Sequence, residues 1–305
     1  MNNLTFGPIT SRRFGTSLGI DLSPDKKQCN FDCVYCELKG AKPVGSIVDA
    51  PLVKDIIASV EEALAKYDDI DVITLTANGE PTLYPYLEEL VDALNQIKTT
   101  QKLLILSNGA TINDPVTCKA LEKIDIVKLS LDCVSERCFK RIDRPLKGIS
   151  VDALIQGMKR FKQLFKGELV LEVLVVEGIN DTEEEFLLLN DAMKMIAPHR
   201  VDVGTIDRPP AYAVKGVSYD RLEALARFIE TIPVSVASKR VYSESKKTFT
   251  QEELLSTLAK RPQSVEDVTK IFDVQTQKRL EVLVEEGKVT CRNVAGVTFY
   301  QTRER

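Results

Sequence analysis

Three cysteines fall within the eight-residue stretch Cys29-Asn-Phe-Asp-Cys33-Val-Tyr-Cys36, at spacing C-x3-C-x2-C. So short a loop can turn three thiolates onto one inorganic centre. It cannot easily supply a fourth ligand, so the centre keeps one open coordination position. Closed structural zinc sites take four protein ligands, usually as two pairs, and no partner pair exists here. An iron–sulfur cluster is therefore the main reading and zinc the alternative. His199 is the only histidine, which excludes chemistry that needs two. Cys118, Cys133, Cys138 and Cys291 are scattered, and we read them as buried thiols.

Four further polar groupings invite attention: Asn78-Gly79-Glu80-Pro81, Ser107-Asn108-Gly109, Ser130-Leu131-Asp132 and Gly178-Ile179-Asn180. Each taken alone is a turn or a strand end. Thr182-Glu-Glu-Glu185 reads as a capping box. Arg12, Arg13, Arg144 and Arg208 lie in loops and suit recognition of a phosphate or carboxylate on a substrate. Surface or interdomain ion pairs are the competing account.

The elements that must position these residues follow from periodicity. Residues 5–16 read as a loop and Ser17–Ser23 as a short strand that runs straight into the cysteine loop. Strands are expected at 71–76, 102–107, 125–132, 168–176 and 200–206, with amphipathic helices between them at 51–67, 86–98, 114–123, 135–141, 151–165 and 182–196. All four polar groupings then sit at the carboxyl ends of successive strands, where such sheets bind ligands. The alternation implies an α/β fold, a parallel sheet curled into a partial (βα)6 TIM-like barrel. Six units are too few to close an eight-stranded barrel, and a lateral opening for a large substrate is expected.

The sequence from 218 onward changes character. A helix at 218–230 and a strand at 233–241 complete the barrel domain, residues 1–242. A polar linker, 243–248, precedes a small winged-helix-like domain at 249–305, built of three short helices and a hairpin. Residues 251–305 hold nine Lys+Arg and nine Asp+Glu. A neutral module has little to neutralise phosphates with, so protein docking or substrate capping is favoured over nucleic-acid binding. The whole chain carries a net charge of −4, which advertises neither nucleic acid nor an anionic membrane. No apolar run approaches the length of a bilayer span, and the first residues lack the pattern of a signal peptide. A cytoplasmic location is expected.

The cysteine stretch resembles the signature of radical S-adenosylmethionine (SAM) enzymes, C-x3-C-x-aromatic-C, here Cys29, Cys33, Tyr35 and Cys36. The strand-end groupings support the likeness over about residues 5–211. Within that superfamily, Gly-Pro-Ile-Thr-Ser-Arg-Arg13, Ile142-Asp-Arg-Pro145 and Ile206-Asp-Arg-Pro-Pro210 resemble a group of cytosolic Fe–S oxidoreductases distantly similar to tRNA wyosine-base synthases. The resemblance implies that Cys29, Cys33 and Cys36 hold a [4Fe-4S] cluster whose fourth iron is chelated by SAM. It implies Tyr35 near the adenine, Gly79 and Glu80 at the amino group, Asn108 among the cofactor contacts, Ser130 and Asp132 at the ribose, and Ile179 and Asn180 at the adenine edge. An electron donor of flavodoxin or ferredoxin type is implied, with a nucleoside, RNA base or peptide as substrate. The family often has two glycines before the Glu-Pro pair, and Asn78 stands at the first of these positions. The rival account is an iron–sulfur redox sensor whose winged helix binds nucleic acid.

Overall fold

The computed structural model describes residues 4–11, 13–236, 246–294 and 297–303. The chain opens with a hairpin, β1 (Thr5–Ser11) and β2 (Gly15–Asp21), and the cysteine loop follows. It continues through α1 (Val53–Lys66), β3 (Val72–Thr76), α2 (Leu87–Ile97), β4 (Lys102–Ser107), α3 (Pro115–Leu121) and β5 (Ile126–Ser130). Then come α4 (Glu136–Ile142), α5 (Val151–Leu164), β6 (Glu168–Val175), α6 (Glu183–Ile196), β7 (Arg200–Thr205), α7 (Tyr219–Ala226) and β8 (Val234–Val236). The strands form one eight-stranded sheet in sequential order from β1 to β8. From β2 onward every neighbour is parallel. Sequential order with crossover helices is the right-handed α/β winding expected of a partial barrel.

The loop expected at 5–16 is instead largely the edge strand β1, antiparallel to β2. Gly7 and Pro8 hide it from a periodicity reading, because they interrupt the alternation where the register shifts between Phe6 and Ile9. Proline is tolerated there because an edge strand has one unpaired side.

Side-chain alternation sorts the strands into two faces. Ile73, Ile105, Val127, Leu171 and Val203 belong to the large core shared with the helices. Val72, Leu104, Ile126 and Val170 point the other way and form a separate small cluster with Phe14. That cluster plugs the amino end of the barrel interior. One step further along the strands, on the same inner face, stand Lys128, Glu172 and Asp202 (see below).

The C-terminal unit comprises α8 (Gln251–Lys260), β9 (Gln263–Ser264), α9 (Val265–Ile271), α10 (Val274–Glu285), β10 (Val289–Val294) and β11 (Val297–Thr302). Its antiparallel sheet has the order β10-β11-β9. Phe249, Leu254, Leu258, Phe272 and Leu280 make a core of its own. Of the expected linker, 243–245 lie outside the described residues. Lys247 is already part of the unit, bridging to Phe272. The strand expected at 233–241 is seen as β8, and its remainder also lies outside.

Candidate active site

The cysteine loop is braced on three sides. At its start, Gln28 forms a parallel bridge with Gly79, with Gln28 N donating to Asn78 O at 2.8 Å and Glu80 N to Gln28 O at 3.0 Å. Underneath, Phe31 packs edge-on against Phe139 of α4, and Val34 N donates to Ile142 O. At its far end, Ala211 N donates to Cys36 O at 2.8 Å, and the Tyr212 hydroxyl donates to Asp32. Asp32 also receives Lys27 Nζ at 2.9 Å. Partial burial opposes its charge, but the Tyr212 and Lys27 bonds hold its carboxyl below the usual range.

The loop brings together Cys29, Cys33 and Cys36, which perturb one another electrostatically. Burial pushes all three thiols up, Cys29 to about 12 with Glu80 adding to the shift, and Cys33 well up with Asp143 adding. Such thiols become thiolates only when a cation replaces their protons. Cys29 Sγ accepts from Phe31 N at 3.4 Å and lies 3.6 Å from Asn108 Nδ2. Hydrogen bonds to sulfur are characteristic of cluster ligands. Three soft donors in one short loop, with two N–H groups directed at Cys29 Sγ, fit an iron–sulfur cluster. The donor set is one short of closed zinc.

The strand-end groupings converge on this loop, but several side chains have internal partners. Glu80, 2% exposed, accepts Thr82 N, Thr82 Oγ1 and Ser107 Oγ on one oxygen and Asn108 N on the other. Burial raises its carboxyl, and those bonds oppose the rise. Glu80 therefore ties the β3 turn to the β4 turn. Glu80→Ala should lower stability by about 3 kcal/mol, since it orphans several buried donors. Urea unfolding of the reconstituted protein would measure this.

Asp132 and Asn180 likewise have internal partners. Asp132 accepts the Tyr35 hydroxyl at 2.5 Å and Leu174 N at 2.7 Å. Asn180 is fully buried; its amide donates to Asp132 O and Leu174 O and accepts from Val176 N. Both stitch the β5 and β6 ends together. Tyr35 is thereby fixed by its hydroxyl. Tyr35→Phe removes one bond to a buried acid and should cost about 1–2 kcal/mol, visible as a lower thermal midpoint with cluster content retained. Ser130 and Ile179 are half-buried at the same rim.

The candidate substrate arginines are distributed differently. Arg208 Nη1 lies 3.5 Å from Glu37, and Arg144 stacks over Tyr212 at 4.5 Å, with Asp32 at 4.0 Å. Both reach acids in or just after the cysteine loop. Arg13 enters the barrel, where its Nε meets Asp202 at 3.2 Å and it donates to Ser235 of β8. Arg12 lies outside the described residues.

Sequence reasoning missed the inner-face group. Lys128 Nζ contacts Glu172 at 2.5 Å and Asp202 at 3.2 Å, and Asp202 also takes Arg200 Nε at 2.9 Å. A lone charge in the middle of each of three neighbouring apolar strands is the signal that would have found them. It also missed Glu185, which accepts Val134 N, Ser135 N and Ser135 Oγ. Only half the expected capping box therefore forms, with Thr182 accepting from Glu185 N. Cys133 and Cys138 are joined in a disulfide between the β5 end and α4, Cys118 is half-buried and Cys291 exposed. These findings correct the buried-thiol expectation.

A parallel partial barrel carrying a three-cysteine cluster loop at its carboxyl rim defines a class of cluster-dependent enzyme. The family model described as Radical SAM superfamily matches residues 26–189. A UPF0026 protein of Helicobacter pylori is 41% identical over 300 residues, covering 97% of both chains. Streptococcus suis SuiB bound to S-adenosylmethionine aligns at TM-score 0.55 and 18% identity, over 70% of this chain and 49% of SuiB. This chain thus spans about half of SuiB's length. TYW1 with a lysine-pyruvate adduct bound aligns at TM-score 0.51 and 14% identity, over 95% of this chain and 80% of that one. The chain belongs to the radical SAM superfamily, whose enzymes use a [4Fe-4S] cluster and SAM. Among the described residues, no helix is long and apolar enough to cross a membrane.

Proposed function

We propose that Cys29, Cys33 and Cys36 hold a [4Fe-4S] cluster and that SAM lies against it, over the ends of β3 to β6. A reduced cluster held there would supply the electron for reductive cleavage of SAM, the chemistry by which a hydrogen atom would be taken from the substrate. The observation that supports this reading is a loop of three cysteines held on a rim whose turns are locked to one another through Gly79, Glu80 and Asn108. Those locked turns orient the cofactor, and the Tyr35 ring, Ser130 and Ile179 are the side chains left to face it. The substrate enters the barrel interior above Lys128 and Glu172, where fixed charges replace water. The substrate we propose is a nucleoside, RNA base or peptide, and a flavodoxin- or ferredoxin-type donor supplies the electron.

The test is anaerobic reconstitution with iron and sulfide, then SAM and dithionite. Formation of 5′-deoxyadenosine is the expected result; a fully loaded cluster that leaves SAM intact overturns the reading. The sensor alternative draws no support from α10. Its exposed face carries Val274, Lys278, Glu281, Val282 and Glu285, a surface that does not neutralise phosphates.

A further inference from the structure

The C-terminal unit touches the barrel domain at the edge strand β1 and at the loop that follows β7. On one side α8 packs against the edge strand β1, and Lys260 Nζ reaches Asp21 at 3.6 Å while lying 5.3 Å from the Phe6 ring. On the other side Arg292 of β10 donates to Pro210 O at 3.3 Å, in the loop whose next residue holds Cys36 O. Below, Glu253 takes Lys66 and the Tyr67 hydroxyl, and Lys247 pairs with Asp69. A single small unit thus contacts both β1 and the β7 exit.

One of these contacts continues into the site. Asp21 ends β2 and is 2% exposed. Its Oδ1 accepts Ser23 N and Asn78 N, both at 3.0 Å, so it fastens the entry to the cysteine loop to the turn that carries Gly79 and Glu80. Its Oδ2 has no hydrogen-bond partner and faces Lys260 at ion-pair distance. Burial pulls the Lys260 ammonium below its ordinary range, and Asp21 pulls it back up.

We infer that the C-terminal unit is the side wall of the reaction chamber and that Lys260 is a positioning residue, acting through Asp21 on the Asn78–Glu80 turn and hence on SAM. This rests on the SAM-cleaving reading above. Withdrawing the unit leaves a buried carboxylate without its cation, at the point where two cofactor loops are joined. Docking of the unit and order in the loops are therefore linked, and the linkage is reciprocal.

The test uses the full chain with its cluster loaded, comparing Lys260→Met, Lys260→Arg, Asp21→Asn and the Lys260→Met/Asp21→Asn double variant. Lys260→Met should keep wild-type iron content, weaken SAM binding about tenfold and speed amide exchange at 23–29 and 77–80 by a similar factor. Lys260→Arg should restore both. The double variant should be no worse than either single one, because both remove the same interaction. Wild-type SAM affinity and exchange in Lys260→Met, or additive losses in the double variant, overturn the inference. If Lys260→Met folds poorly, Asp21→Asn and Lys260→Arg still decide it, since loss in the first and retention in the second are required. Failure of the loaded wild-type protein to bind SAM would instead sink the functional reading beneath it.

Discussion

Cys36→Ala is expected to give a folded, colourless protein that forms no 5′-deoxyadenosine. The backbone contacts at this position, Cys36 N to Cys33 O and Ala211 N to Cys36 O, do not need the thiol, so the loop should survive the substitution. The remaining two thiols cannot hold a cluster that requires three ligands beyond its SAM-binding iron. Iron and sulfide content and the brown absorbance should fall to background, and SAM cleavage by at least about a thousandfold. Retention of either would discredit the ligand assignment. The same physics sets a direction with pH. Burial holds Cys29, Cys33 and Cys36 protonated in the absence of metal, so cluster binding expels protons. Acidification therefore favours cluster loss, and chelator-driven release should quicken as pH falls.

How much of this site could be read without coordinates depends on how local each interaction is. The cluster loop was legible because its ligands sit within one turn-rich stretch and their spacing is the chemistry. Strands β3 to β7 were legible as apolar runs, and their carboxyl ends therefore placed the polar groupings on one rim. The roles of Glu80, Asp132 and Asn180 were not legible. Their partners, such as Ser107, Tyr35 and Leu174 N, come from distant strands, and nothing in a single segment distinguishes a carboxylate that binds a ligand from one that joins two loops. The arginines illustrate the same point. Arg208 and Arg144 were recognisable as loop cations, but only the folded chain shows Glu37 and Asp32 waiting for them. Lys128, Glu172 and Asp202 were overlooked because each looks like an interruption in its own strand. The pairing of β5, β6 and β7 turns three interruptions into one ionic group.

The departure at Asn78, where the family often has glycine, leaves Gly79 to carry the whole close approach. Gly79 has φ of +142°, and a Cβ there would stand 1.8 Å from Gln28 O and 2.3 Å from Gln28 C. No side-chain rotation relieves a clash with backbone, and the bridge between Gln28 and Gly79 must open for an alanine to fit. Asn78 tolerates its place because its side chain points elsewhere, donating to Pro24 O, while its N–H is held by Asp21. Gly79→Ala should therefore cost about 3–5 kcal/mol, combining an unfavourable φ with a displaced cluster loop. The loss should be largest in the cluster-loaded protein, because Cys29 directly follows the bridged residue and the ligand geometry depends on it. A denaturation midpoint unchanged by the substitution, together with normal cluster absorbance, would show that the two loops are not held in register through this glycine. Asn78→Gly, in contrast, removes only the Pro24 bond and should alter stability by about 1 kcal/mol or less, with the cluster intact. The contrast between adjacent positions tests whether close backbone approach, rather than general turn flexibility, fixes the cysteine loop at the barrel rim.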